Sequence, residues 1–424
     1  MMNCYKSTLV AAVVLSTAST LNAAGFFFKD GDKVVMMGDG VTEQCLYTRY
    51  VEAWTLTRFP AWNITFVNAG IDGDRATGGN KRFSRDVLPN SPTAITIDYG
   101  MHDGGYKPFE EASFKTFMEG MQGIADQAKA AKVRVAWCTP NPKEDAGGGP
   151  AIKGYNETLE KYAEGVQQIA ATNGNALFID QLHPFLAAID KARAANPKMR
   201  IGGGDPVYPG PPGQALMAWS LLKGMNFPTT VASVEIDATA GEIIQSQNCK
   251  IKDLKVATDG RIEFSQLDAA LPFFPADAKS ILKWAPVLDE LNDYRLKVTG
   301  LKSGRYAIRL SGTKVAEYSS EELSGGVNLA AVVLGSGPIA EQVKTVWEAI
   351  KIKDLCSHSS VARGVVEPDA RIAEDSSIKN EYADAHRAPA DNEHQGRMQH
   401  YFAAIKQTLV MKPHQVEILA MPNP

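Results

Sequence analysis

Val34-Val35-Met36-Met37-Gly38-Asp39-Gly40-Val41-Thr42-Glu43-Gln44 decides the fold. Four consecutive apolar residues predict a strand buried on both faces, the kind found in parallel sheets. Gly38-Asp39-Gly40 breaks that strand, and Leu46 to Trp54 carries helical spacing behind it. A strand, a tight turn and a helix put the turn at the carboxyl edge of a sheet, where open α/β folds bind ligands.

The same alternation continues to about Pro228. Strands are predicted at Val34–Met37, Ile64–Asn68, Ala94–Tyr99, Val133–Trp137 and Ala176–Ile179. Helices are predicted at Leu46–Arg58, Phe109–Ala131, Tyr155–Ala171, Pro184–Ala195 and Gln214–Gly224. Strands separated by helices imply parallel pairing through right-handed crossovers, hence a three-layer α/β sandwich over residues 24–228. From Thr229 the pattern changes: Val231–Ile243, Ile251–Phe264, Tyr294–Val298 and Tyr306–Tyr318 alternate apolar and polar residues. They predict a small antiparallel β-rich module over 229–330, open to completion by chain from elsewhere. Thr299-Gly300-Leu301-Lys302-Ser303-Gly304 reads as a hairpin turn inside it. Ile339–Asp354 is expected to be helical, within a helical or irregular extension over 331–424.

Of the 424 residues, 44% are apolar, enough for sizeable cores, and 22% are charged. A net charge of −4 and the lack of a dense Lys/Arg stripe argue against a nucleic-acid partner. Met1 to Ala23 reads as a cleavable secretory signal: one early lysine, a short apolar run from Leu9 to Leu15, then small residues. The run is too short to span a bilayer, so stable membrane insertion is not expected. Export to the periplasm or outside is expected. After cleavage Cys45, Cys138, Cys249 and Cys356 remain. Cys45 and Cys138 fall in core elements and read as small buried hydrophobes, which makes Cys249–Cys356 the disulfide to expect.

Four short blocks carry the chemistry. They are Gly38-Asp39-Gly40-Val41-Thr42-Glu43-Gln44, Asn68-Ala69-Gly70, Gly100-Met101-His102-Asp103-Gly104-Gly105-Tyr106 and Asp205-Pro206-Val207-Tyr208-Pro209. In this order, each at a strand end or before the last helix, they resemble the four blocks of the SGNH (GDSL-type) esterases and lipases. That resemblance covers roughly residues 26–228 and implies a flavodoxin-like sandwich and an ester hydrolase. The family reads Gly-Asp-Ser, a backbone-donating glycine, Gly-x-Asn-Asp and Asp-x-x-His-Pro at these places.

Carried over residue by residue, the resemblance puts Gly40 at the nucleophile, Gly70 and His102 at oxyanion donors, Asp205 at the orienting carboxylate and Tyr208 at the base. Serine hydrolysis needs a hydroxyl to attack and an imidazole to take its proton. Gly40 has no side chain, and the Tyr208 phenol, with a reference pKa of about 10, accepts protons poorly at neutral pH. His102 still has an N–H to offer an oxyanion. The pattern implies a pseudo-hydrolase that keeps a pocket for an acylated or carbohydrate ligand without the reaction. The alternative is an ester hydrolase using His102 with water, a metal or a non-standard nucleophile.

In that alternative Asp103 or Asp205 would support His102, and Asp39, Asp72 and Asp74 would complete a carboxylate-rich loop edge. The favoured reading is that Asp39 and Asp103 bond loop amides, as aspartates do in turns, so neither metal nor cofactor is expected. Thr42 lies at the pocket turn but is expected to point away from it, and Cys45 to face inward. Tyr106, Trp137 and Tyr208 are candidate aromatic surfaces for a sugar ring. Gly147-Gly148-Gly149-Pro150 and Gly202-Gly203-Gly204 read as rim loops, and His183 as structural. His358, His386, His394 and His400 are too widely spaced to suggest a metal site. Oligomeric state has no signature here.

Overall fold

The computed structural model describes residues 25–144, 154–174, 176–362 and 391–422, without the side chains of 355–362 and 391–397. The leader Met1–Ala23, the Gly147–Pro150 loop, Cys356, His358, His386 and His394 lie outside the described residues or side chains.

The first domain runs β1 (Lys33–Gly38), α1 (Gly40–Glu43), α2 (Tyr47–Arg58), β2 (Thr65–Gly70), α3 (Ala76–Asp86), β3 (Ala94–Asp98), α4 (Glu111–Ala130), β4 (Arg134–Cys138), α5 (Tyr155–Thr172), β5 (Ala176–Ile179), α6 (Leu182–Ala195) and α7 (Pro211–Gly224). The five strands form one parallel sheet in the order β2-β1-β3-β4-β5. Its unbroken apolar strands are covered on both sides. Val34, Met36, Ala94 and Ala136 face α2 and α7, while Val35, Met37, Ile95, Ile97 and Trp137 face α3, α4 and α5. This is the three-layer α/β sandwich that the alternation implies. The register aligns Gly38 with Gly70 on one side and Asp98 on the other. The three strand ends therefore open their loops at one edge.

Helix α3 was not expected. Its sequence, Ala-Thr-Gly-Gly-Asn-Lys-Arg, contains two poor helix formers. Packing overrides propensity: a Cβ on Gly79 would sit 2.5 Å from the Tyr99 hydroxyl, and one on Gly120 of α4 2.6 Å from the backbone of Ala76. Glycine is what lets α3 approach its neighbours.

The remaining chain forms β6 (Thr230–Asp237), β7 (Glu242–Gln247), β8 (Cys249–Val256), β9 (Ile262–Asp268), α8 (Val287–Leu291), β10 (Asp293–Thr299), β11 (Arg305–Leu310), β12 (Thr313–Ser319), α9 (Ser320–Gly325), β13 (Val327–Asn328), α10 (Ala330–Val333), α11 (Pro338–Ala362), α12 (Asp391–Thr408) and β14 (His414–Ala420). Two expectations are corrected here. The 299–304 turn does not close a hairpin, because β10 lies in the sheet β13-β10-β6-β7 and β11 in β12-β11-β14-β9-β8. Nor is the module purely antiparallel, since β6 and β10 pair in parallel. A turn sequence specifies a reversal of direction, not the partner that the next strand finds.

The tail is not peripheral. Strand β14 inserts between β11 and β9, so the C-terminal end of the chain completes the second sheet. The core beside α2 and α7 continues into this region through Phe264, Leu271, Phe273 and Ile281. Trp54 meets Phe273 edge-on at 5.2 Å between ring centroids. This shared core explains why α2 is buried almost all round, since a helix with no wet face must be covered on every side. Helix α11 is stapled to α2 by buried charge: Lys353 Nζ lies 2.5 Å from Glu52 Oε2 and 2.8 Å from Asp354 Oδ1, and Arg49 binds Asp354 at 3.0 Å. Cys45 and Cys138 are buried free thiols. Cys249 is also free, its thiol facing the Ser233 carbonyl at 3.6 Å. Its expected partner Cys356 has no described side chain.

Candidate functional site

The site begins where β1 stops. Asp39 turns the chain in an extended conformation and caps α1, its Oδ1 accepting from the Val41 N–H at 3.0 Å. Gly40 is the first residue of α1. Its neighbours across the sheet edge supply the rest: the loop after β2 carries Asp72, the loop after β3 carries His102, and the loop before α7 carries Tyr208.

These four loops meet in one hydrogen-bonded chain. His102 Nδ1 lies 2.8 Å from Asp39 Oδ2, and His102 Nε2 lies 2.8 Å from the Tyr208 hydroxyl. Tyr208 in turn donates to Asp72 Oδ1 at 2.6 Å. Asp39 is therefore the carboxylate that holds His102; neither Asp103 nor Asp205 does. Asp103 accepts from the Ala76 and Gly100 amides at 2.9 and 3.0 Å, tying the start of α3 to the end of β3. Asp205 is exposed and accepts from the Val207 and Tyr208 amides at 2.7 and 2.8 Å. It shapes the turn that presents Tyr208 and orients no imidazole.

The space in front of Gly40 is filled. A Cβ built on Gly40 would lie 2.4 Å from Asp72 Oδ1, 2.8 Å from Tyr208 Cε1 and 3.1 Å from its hydroxyl. No side chain fits at residue 40 while Tyr208 and Asp72 hold these positions. Gly70 also departs from its expected role. Its N–H goes to Asn68 Oδ1 at 2.9 Å, and a Cβ there would meet the Glu43 backbone nitrogen at 2.2 Å. Gly70 is a close-packing glycine beneath α1, with its donor already used. Thr42 turns inward, its hydroxyl 2.8 Å from that of Tyr47.

Burial and charge set the protonation states. Burial lowers the His102 pKa, but the Asp39 hydrogen bond and the charges of Asp39, Asp72 and Asp103 overcome it, and the net shift is upward. Burial, then the bond and charge of Asp72, raise the Tyr208 phenol well beyond its ordinary value, so it remains a neutral donor. Burial also pushes the Asp103 carboxyl up to about 7 against its two amide bonds.

Beneath the turn lies a polar floor. Gln214 of α7 accepts from the Tyr47 amide at 2.8 Å, and Gln181 donates to Asp98 Oδ2 at 2.9 Å. Arg82 of α3 reaches the edge from the other side. It binds the Gly38 carbonyl at 3.1 Å, the Tyr99 hydroxyl at 2.8 Å and Asp74 Oδ2 at 2.7 Å. Arg82 thereby clamps the end of β1 to the loop after β2. The sequence reading missed Arg82, which sits in the unexpected α3, and placed Asp72 only among the carboxylates of the loop edge, not as the partner of Tyr208. Asp72's position two residues beyond Asn68-Ala69-Gly70 was the available signal.

Other candidates fall elsewhere. Trp137 is fully buried and offers no sugar platform. Tyr106 is half-buried with its ring edge-on to His102, 5.7 Å between centroids. His183 is exposed between Asp180 and Glu160, at 2.7 and 3.0 Å. Among the described residues no group of three or more His, Cys, Asp or Glu is arranged to hold a metal ion. None of their helices is long and apolar enough to cross a membrane.

Comparison with known proteins agrees with this architecture. The model of the GDSL-like Lipase/Acylhydrolase family matches residues 36–216, a span containing all four sequence blocks. No curated protein sequence matches the chain. A gut microbial diltiazem-metabolizing enzyme has a similar fold over 93% of this chain and 98% of its own, with 23% identity and a TM-score of 0.80. An acetylxylan esterase from Geobacillus stearothermophilus aligns with 47% of this chain and 96% of its own, at 23% identity and a TM-score of 0.40. The α/β domain of this chain, with its strand-end blocks at one sheet edge, is similar to the GDSL-like lipase/acylhydrolase family over residues 36–216.

Proposed function

We propose that this protein is a catalytically silent member of its family that binds an acylated small molecule or carbohydrate ester at the old active-site edge. The observation that carries this reading is the filled space at Gly40, where Tyr208 and Asp72 stand in the path of any side chain. Three substitutions fit one another. With no hydroxyl at residue 40 there is no proton for a base to take, and the tyrosine at the base position bonds the histidine at the oxyanion position. Loss of nucleophile and base lowers serine-hydrolase turnover by about a millionfold. The half-buried Tyr106 and Tyr208 rings line the remaining surface. The signal-like Met1–Ala23 supports binding outside the cytoplasm.

The test is ester turnover by the purified protein. p-Nitrophenyl acetate hydrolysis should not exceed that of a Gly40→Trp control, while an acetylated xylo-oligosaccharide should bind saturably in calorimetry without releasing acetate. Turnover above the control, or a covalent adduct with a fluorophosphonate probe, would overturn this reading. Turnover lost on chelation would point instead to metal-assisted hydrolysis through His102.

A further inference from the structure

The chain Asp39–His102–Tyr208–Asp72 has a proton count that its geometry fixes. Three hydrogen bonds join four groups, and the two end groups are carboxylates. Each bond needs one proton. A neutral imidazole and a phenol supply two, whereas an imidazolium and a phenol supply three. The arrangement is satisfied when Nδ1–H donates to Asp39, Nε2–H donates to the Tyr208 oxygen and the Tyr208 O–H donates to Asp72.

We propose that these four residues form a proton-gated latch over Gly40, closed while His102 is an imidazolium and opened by withdrawal of Asp72 when that proton is lost. The proposal concerns how the binding edge is uncovered, and so rests on the binding reading above.

The direction of opening follows from which link is weakest. Asp39 is buried and fixed by its cap bond to Val41, so a neutral His102 keeps its one proton on Nδ1. Nε2 then becomes an acceptor, and the Tyr208 proton turns toward it. The Tyr208 oxygen now presents lone pairs to the Asp72 carboxylate at 2.6 Å, a repulsive contact. Asp72 is the exposed member, on a loop followed by Gly73 at φ +69°, with nothing packed where a Cβ would be. It is free to leave, and it holds the atom nearest the vacant side-chain position of Gly40.

The other titratable groups at this edge are Asp103 and the neutral phenol of Tyr106 from the loop after β3, Arg75 at the start of α3, and Asp205 before α7. Asp103 is committed to two backbone amides, and Asp205 to the turn that carries Tyr208. The carboxylates facing the ring, Asp39, Asp72 and Asp103, all favour its charged form. A group bound more tightly as a cation in the folded state adds stability below its unfolded pKa. That contribution is lost as pH rises through the folded value.

The test uses the whole protein without ligand, so its outcome is independent of the turnover assay that tests the binding reading. Ring nitrogens of 15N-histidine-labelled protein are followed from about pH 5 to 9, with His102 assigned by its loss in His102→Gln. His102 should titrate above an unperturbed histidine, and its midpoint should fall in Tyr208→Phe and in Asp72→Asn, which keeps an acceptor but removes the charge. Gly40→Ala, which props the latch open, should be most destabilising at low pH, with its cost shrinking as His102 deprotonates. A ring that is neutral where free histidine is charged, a midpoint unmoved by Asp72→Asn, or a Gly40→Ala cost constant across pH would each overturn the latch. Should Gly40→Ala not fold, the wild-type and Asp72→Asn titrations decide.

Discussion

The Tyr208 hydroxyl lies 2.8 Å from His102 Nε2. Residues from two separate loops, the one after β3 and the one before α7, are each other's hydrogen-bond partners. At this sheet edge the two side chains form a closed contact between protein groups.

Reversal should therefore need more than a nucleophile. Gly40→Ser alone drives a side chain into Tyr208 and Asp72 and should cost about 1–3 kcal/mol through overpacking, with no gain in p-nitrophenyl acetate turnover. Gly40→Ser with His102→Asn and Tyr208→His should regain stability and show measurable turnover. Urea denaturation and the ester assay read the two effects separately. A single Gly40→Ser variant as stable as wild type would contradict the filled-space reading.

Arg82 should be worth more than its place in an unremarkable sequence suggests. Arg82→Met removes the guanidinium from Asp74, Asp86, the Gly38 carbonyl and the Tyr99 hydroxyl, leaving Asp74 with only the Tyr99 hydroxyl and Asp86 with only the more exposed Arg85. Removing one partner of a buried ion pair costs about 3–5 kcal/mol. Arg82→Lys should recover only part of the loss, because a single ammonium cannot reach a fork of acceptors. Chemical denaturation of the two variants checks the order.

The Glu52–Lys353–Asp354 staple predicts that the C-terminal helices are part of the cooperative unit. Lys353→Met leaves two carboxylates buried and should destabilise by about 3–5 kcal/mol. The double variant Glu52→Gln/Lys353→Met should cost less than the sum of the single changes, since removing both charges removes part of the desolvation cost. A double-mutant cycle in urea measures the coupling.

Strand β14 brings a pH dependence of opposite sign to that of the latch. His414 is buried near Tyr294 and Asp268, and burial pushes its pKa down to about 4. A histidine kept neutral in the fold charges more readily when unfolded. Stability should fall as pH drops from about 6.5 toward 4, by up to about 3 kcal/mol. His414→Gln should flatten that acid limb in thermal melts between those pH values. An unchanged limb would assign acid sensitivity to other groups.

The parallel sheet was legible because its central strands are largely apolar, and a covered parallel sheet buries Val34–Met37 and Ala94–Asp98 on both faces. The four blocks were legible because a tight turn at a strand end restricts which residues fit. Helix α3 was not, because its stability comes from glycines pressed against Tyr99 and α4 rather than from local propensity. The destination of β14 was equally hidden. Its pairing partners lie roughly a hundred residues or more back along the chain, and alternation names a strand without naming its neighbour.

The sequence by itself determined the sandwich and the identities of Gly40 and Tyr208 in the strand-end blocks, because both are properties of residues in their own local frame. Tertiary structure alone decided that Asp39 holds His102, that Gly70 has spent its amide on Asn68, and that Asp72 and Tyr208 occupy the space in front of Gly40. Those relations join loops 30 or more residues apart, or depend on the direction of one N–H. Only the register of β1 between β2 and β3 brings such groups within hydrogen-bond reach.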